Sequence, residues 1–209
     1  MATQVKNERP DPSVLVLACG ALARELEALR RAGPLAHVTL RCLDAALHNR
    51  PELIAGAVEE AILRHRDAFS RVFVAYADCG TGGALDRVLE RYGIQRLPGA
   101  HCYEFLAGSA VFAALADTEP GTFYLTDFLV RHFDRLVRQG LGLDRHPQLR
   151  DQYFGNYRRV VHLAQVEDAE LDALAREQAA WLGLSHERVY TGMQPFTAAF
   201  PEQVLQWRN

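Results

Sequence analysis

Val72-Phe73-Val74-Ala75-Tyr76-Ala77-Asp78-Cys79-Gly80-Thr81-Gly82-Gly83 is an apolar run that ends abruptly in an acid, a thiol and a glycine-rich turn. Six consecutive apolar residues without polar alternation suit a strand buried on both faces. The glycines permit a tight turn, and Leu85, Val88 and Leu89 then recur at helical spacing. The stretch therefore reads as strand, turn, helix. The same grammar recurs along the chain, with predicted strands at 14–18, 37–41, 94–97, 122–125, 159–164 and 187–190. Between them lie rows such as Leu22, Leu26, Leu29 and Leu171, Leu174, Gln178, Trp181. Alternation of this kind predicts an α/β fold with three layers, a mainly parallel sheet carrying helices on both faces.

The chain has 209 residues, 49% of them apolar and 23% charged, enough to bury a sizeable core. No internal repeat is visible. Residues 13–209 read as a single α/β domain, behind a polar, proline-bearing lead-in over residues 1–12 that is expected to be disordered. Gly140 to Pro147 is the best candidate for a loop that sets off a C-terminal segment. A net charge of −3 and the lack of any basic run argue against nucleic acid as a partner. No apolar stretch approaches the roughly 20 residues of a membrane helix. Four cysteines in so long a chain do not suggest a disulfide framework, and the N-terminus lacks a signal-peptide core, so a cytoplasmic location with reduced thiols is expected.

Three of those cysteines stand where a strand run gives way to a turn or helix: Cys19 after Val14–Ala18, Cys79 after Val72–Ala77, and Cys102 before the next helical row. In a parallel sheet such positions share the carboxyl edge, where ligands bind. Three thiolates with an open fourth position would suit a catalytic zinc, with His101 as an alternative ligand. No C-x-x-C pair signals a structural zinc site, and each cysteine taken alone could be a small buried hydrophobe. The loop Asp78, Gly80, Thr81, Gly82, Gly83 could hold an anionic or metal-bound ligand on backbone N–H groups, although it lacks a P-loop or dinucleotide spacing. In Leu47-His48-Asn49-Arg50-Pro51, His48 could move a proton, Arg50 could hold a carboxylate, and Asn49 could cap the helix begun by Pro51. His48, Arg50 and the Cys79–Gly83 loop are expected to border one pocket. Cys42 ranks lower, and Thr126 and Asp127 read as the start of a helix. No G-x-S-x-G supports a serine hydrolase, whereas a cysteine nucleophile served by His48 or His101 remains open.

Ala18-Cys19-Gly20, Leu47-His48-Asn49-Arg50-Pro51, Tyr76 to Gly80, Cys102 with Leu106-Ala107-Gly108-Ser109, and Gly121-Thr122-Phe123-Tyr124-Leu125-Thr126 follow one another over about residues 14 to 195. In that order they resemble the prokaryotic family known as domain of unknown function 1638. His101 departs from the acidic residue that members often carry there. Members tend to be encoded beside corrinoid proteins and the methyltransferases of methylated-amine or methyl-ether use. The resemblance implies a role in one-carbon metabolism, with methyl or related group transfer as the natural chemistry. A corrinoid would then be reached through a protein partner. The alternatives are a non-catalytic accessory or ligand-binding protein for such a system, and a cysteine-nucleophile hydrolase.

Overall fold

A computed structural model describes residues 14–207, so the lead-in expected over residues 1–12 lies outside the described residues. Each of the seven expected strands forms: β1 Val14–Cys19, β2 Val38–Leu43, β3 Arg71–Ala75, β4 Gln95–Arg96, β5 Thr122–Thr126, β6 Arg159–Ala164 and β7 Ser185–Tyr190. Between the first four strands lie α1 (Ala23–Ala32), α2 (Ile54–His65) and α3 (Ala84–Tyr92). Two helices, α4 (Cys102–Ala107) and α5 (Ser109–Thr118), lead to β5. The remainder are α6 (Asp127–Arg131), α7 (Leu149–Phe154), α8 (Ala169–Leu182), α9 (Gln194–Ala198) and α10 (Glu202–Gln206).

The strands pair in parallel throughout, as an α/β chain with helical crossovers requires. They divide between two sheets, ordered β2-β1-β3-β4 and β5-β6-β7. β1 lies inside the first sheet and buries all six of its residues, which accounts for its unbroken Val-Leu-Val-Leu-Ala-Cys run. The chain leaves β1 to one side for β2 and returns on the other side as β3. That reversal makes the carboxyl ends of β1 and β3 a topological switch point, where such sheets leave a crevice. Cys19 ends one of these strands and Cys79 follows the other.

The passage between the two sheets runs through α4 and α5, not through Gly140–Pro147, which lies within the second half between α6 and α7. The two carboxyl edges meet: the Gly20–Leu22 turn after β1 packs on α6, and α4 packs on β6. The C-terminal end then crosses back to the first half. There α9 lies on α4, and Phe200 approaches Phe73 with ring centroids 5.9 Å apart.

Buried polar groups gather where the edges meet. Asp127 accepts hydrogen bonds from His162 Nε2 at 2.9 Å and from the backbone N–H groups of Gln165 at 3.1 Å and Val166 at 3.0 Å. It thereby ties the end of β5 to the end of β6. Glu25, on α1, is also buried, and its Oε2 has no hydrogen-bond partner among the described residues. Burial, reinforced by the negative charge of Asp127, raises the Glu25 carboxyl above its ordinary value of 4.5, against a smaller pull from Arg24 and Arg131. A carboxyl raised on folding disfavours its own ionised form, so its contribution to stability declines as pH climbs past 4.5. Glu25→Gln should therefore melt above the wild type at pH 8 by about 2–4 °C, the response of a chain this long to roughly 1 kcal/mol. Thermal melts from pH 4 to pH 8 should show that difference closing toward the acid end.

Candidate thiol site

Cys79 owes its position to an uncommon backbone. Its φ of 51° lies in the left-handed region, which costs a residue with a Cβ roughly 1–2 kcal/mol. Two bonds to a neighbouring segment hold it there. Asp78 N–H donates to Gly99 O at 3.1 Å, and Cys79 N–H donates to Ala100 O at 2.8 Å. They lay the turn after β3 along the segment that leads into α4, whose first residue is Cys102. Strain kept in this way at the carboxyl edge of a sheet is a mark of a functional position.

The rest of the glycine turn is closed on itself. The Asp78 carboxylate accepts from Thr81 Oγ1 at 2.6 Å, Gly83 N–H at 2.9 Å and Gly82 N–H at 3.2 Å. The Thr81 hydroxyl and these amides hold the Asp78 carboxyl below its ordinary range. The donors that the sequence suggested for a ligand are thus engaged within the loop. Gly80 instead rests near Pro51, where an added Cβ would lie 3.4 Å from the ring. What this turn presents to the crevice is Cys79.

Cys19, Cys79 and Cys102 line one cavity of about 220 Å³, together with His48, Ile54, Tyr76, His101 and Tyr103. Gly20, next to Cys19, allows the chain after β1 to approach the end of β2: a Cβ there would stand 2.6 Å from Leu43 O. The Cys102 thiol donates toward the Cys79 sulfur, and the Cys102 and Ala77 backbones add support, so Cys79 is held below the ordinary thiol value of 9.0. Cys102 moves the other way, raised by that same contact and by burial. The contact thus favours ionisation of Cys79 over that of Cys102. Cys19 is pushed up to about 11, chiefly by burial. Tyr76 lies beside it, yet its buried Oη falls short of hydrogen-bond geometry with any partner among the described residues.

His48 faces the same space. Burial, aided by the charge of His101, lowers its pKa below 6.5, so the ring is neutral at pH 7. Its Nε2 stands 3.2 Å from Tyr103 Oη, and burial keeps that phenol protonated. Arg50, in contrast, is exposed, pairs with Glu52 at 3.3 Å and does not line the cavity. The expected shared pocket thus includes His48 and Cys79 but not the Arg50 side chain. Cys42 is exposed on the edge strand β2, paired with Ala18. Tyr76 and Tyr103 escaped the sequence reading because each looks like an ordinary core aromatic. Their only signal is that both sit within three residues of a site cysteine.

The chemistry of the donors suits a soft ion, since three thiols and two imidazoles surround one cavity. As placed, however, no three His, Cys, Asp or Glu side chains among the described residues are gathered closely enough to hold one. Cys79 and Cys102 form a close pair.

A parallel α/β scaffold with a thiol pair at its switch point is the class that fold and site define. The chain belongs to the family described as protein of unknown function (DUF1638), whose sequence profile matches residues 42–200. That span takes in His48, Cys79 and Cys102 but begins after Cys19, and so is shorter at its start than the motifs suggested. No curated protein and no solved structure matches the chain. No helix among the described residues is long and apolar enough to cross a membrane.

Because contact with the Cys102 thiol favours ionisation of Cys79, removing it should blunt Cys79. Iodoacetamide labelling mapped by mass spectrometry should find Cys79 modified before Cys19 and Cys102 at pH 7. Cys102→Ala should slow labelling at Cys79 by about threefold or more, consistent with the loss of one hydrogen bond to a charged group. Labelling at exposed Cys42 should not change.

Proposed function

We propose that this protein is a metal–thiolate protein of one-carbon metabolism. Cys19, Cys79 and Cys102 would hold a soft divalent ion, zinc in the first place, leaving a fourth position open, with His101 as an alternative ligand. The single observation that carries the reading is that three thiols, from the end of β1, the turn after β3 and the start of α4, line one cavity. Binding would have to draw the donors closer together, because no three of them among the described residues are gathered closely enough as placed. When bound, such an ion lowers the pKa of a coordinated water or thiol and so prepares it for group transfer.

The residues around the thiols set what could join them. The lining carries no Asp, Glu, Lys or Arg, and His48 is neutral. A buried anionic ligand would find no Lys or Arg partner among these side chains, which is costly. The space therefore favours a small ligand of low charge, which could meet the unpartnered Tyr76 hydroxyl. His48, with Tyr103 behind it, is placed to take a proton from such a ligand. The setting beside corrinoid methyltransferases that the family resemblance implies supports methyl or related group transfer, with a corrinoid protein as partner.

A second reading follows from the contact of Cys79 with Cys102, which lowers the Cys79 pKa and needs no metal. Cys79 would then be a nucleophile and Cys102 its proton donor. Metal content after zinc loading under reducing conditions separates the two. The metal reading expects one ion per chain, its loss in Cys79→Ser and Cys102→Ser, about tenfold or more weakening in Cys19→Ser, and no change in Cys42→Ser. Failure to retain stoichiometric metal, with Cys79 still selectively alkylated, would leave the nucleophile reading.

A further inference from the structure

We propose that Asn49 is the positioning residue of the thiol cavity, and that the turn around Leu136 and Gly140 in the second half of the chain is built to receive it. The proposal rests on the cavity described above, and on the thiol reading only for one of its measurements. Asn49 ends the short helical turn Ala45–Asn49, immediately after His48. Its carboxamide does not cap the helix that follows. Nδ2 reaches across the chain and donates to Leu136 O at 2.6 Å.

The receiving segment has unusual geometry. Asp134–Gln139 is a π-helical turn, a wider coil than the α-helix and one found often near functional sites. Gly140 follows it with an ordinary φ of −62°, so the glycine is not there for a left-handed backbone. Its value is space. A Cβ at that position would stand 2.7 Å from Asn49 Nδ2 and 2.3 Å from Leu136 O, colliding with both ends of the hydrogen bond. Leu136 and Val137 are buried in the second core, so the carbonyl that takes Asn49 belongs to a packed element.

On the other side of Asn49 the linkage enters the cavity. His48 meets Tyr103 through the 3.2 Å Nε2–Oη contact and an edge-on ring arrangement with centroids 6.1 Å apart. Tyr103 in turn stacks on Tyr124 of β5 at 5.5 Å, and it follows Cys102 in α4. The His48 wall of the cavity is therefore held from the second half at two points, through Asn49 to Leu136 and through Tyr103 to Tyr124. Of these, only the first leaves the His48 wall through a residue that does not itself line the cavity.

The test uses the full-length reduced protein and the variants Asn49→Ala, Gly140→Ala and the double variant. Thermal melts and far-UV circular dichroism identify any variant that has failed to fold; Asn49→Ser then replaces Asn49→Ala. The first readout is the set of His48 ring resonances in 15N-labelled protein, assigned with His48→Gln. The second is cobalt(II) titration, followed through the thiolate-to-metal absorption band. The proposal expects displaced His48 resonances in each single variant and cobalt binding weakened by about tenfold, the usual effect of losing an outer support. The double variant should lose no more than either single one, because both break the same bond. Wild-type His48 resonances in folded Asn49 and Gly140 variants would overturn the assignment. If wild-type protein shows no cobalt band, the metal reading fails by itself, and the resonances still decide the role of Asn49.

Discussion

The left-handed turn at Cys79 is the constraint on which the site depends. With an ordinary backbone, the residue after β3 would continue the direction of the strand. Two hydrogen bonds to the carbonyls of Gly99 and Ala100 fold it onto the next segment instead. That single register decides that Cys79 meets Cys102, and hence that one thiol can ionise while the other keeps its proton. The Asp78 carboxylate fixes the turn from within by taking up the amides of Gly82 and Gly83. The glycine loop is therefore scaffolding for a cysteine, and its own donors are spent on its shape.

The site also depends on how two sheets share a boundary. The first sheet supplies the switch point and the thiols. The second contributes no cavity-lining side chain, yet it braces the wall that bears His48 and Tyr103. Tyr103 packs against all three apolar clusters of the molecule, so its ring cannot shift without disturbing both halves. The buried polar groups Asp127, His162 and Gln165 occupy the facing edge and hydrogen-bond one another there, while His162 Nδ1 has no hydrogen-bond partner among the described residues. Glu25 is a buried acid whose ionisation would place a second negative charge near Asp127. Close contact at this boundary is thus secured by hydrogen bonds and aromatic packing despite one unfavourable carboxyl.

Fold class was legible because it rests on local periodicity. The runs at Val14–Ala18 and Val72–Ala77 are apolar at every position, and only strands covered on both faces need that. The placement of Cys19 and Cys79 at strand ends followed directly, and the switch-point argument then brought them together. The division into two sheets left no such trace, since helix and strand spacing stay the same when the chain stops adding strands to one sheet and starts another. Arg50 and Asn49 illustrate the same boundary. Both stand beside His48, but whether a side chain turns toward the cavity, toward water or toward Leu136 depends on what the fold brings opposite it.

By itself, then, the sequence determined the strands, the helices and the positions of the three cysteines along one sheet edge, because hydrophobic period and turn residues act over a few neighbours. Only the tertiary structure decided which thiols come into contact, which tyrosines close the cavity and why Gly140 must lack a side chain. Those outcomes depend on burial and on distances of a few ångströms between residues far apart in the chain, which no local pattern encodes.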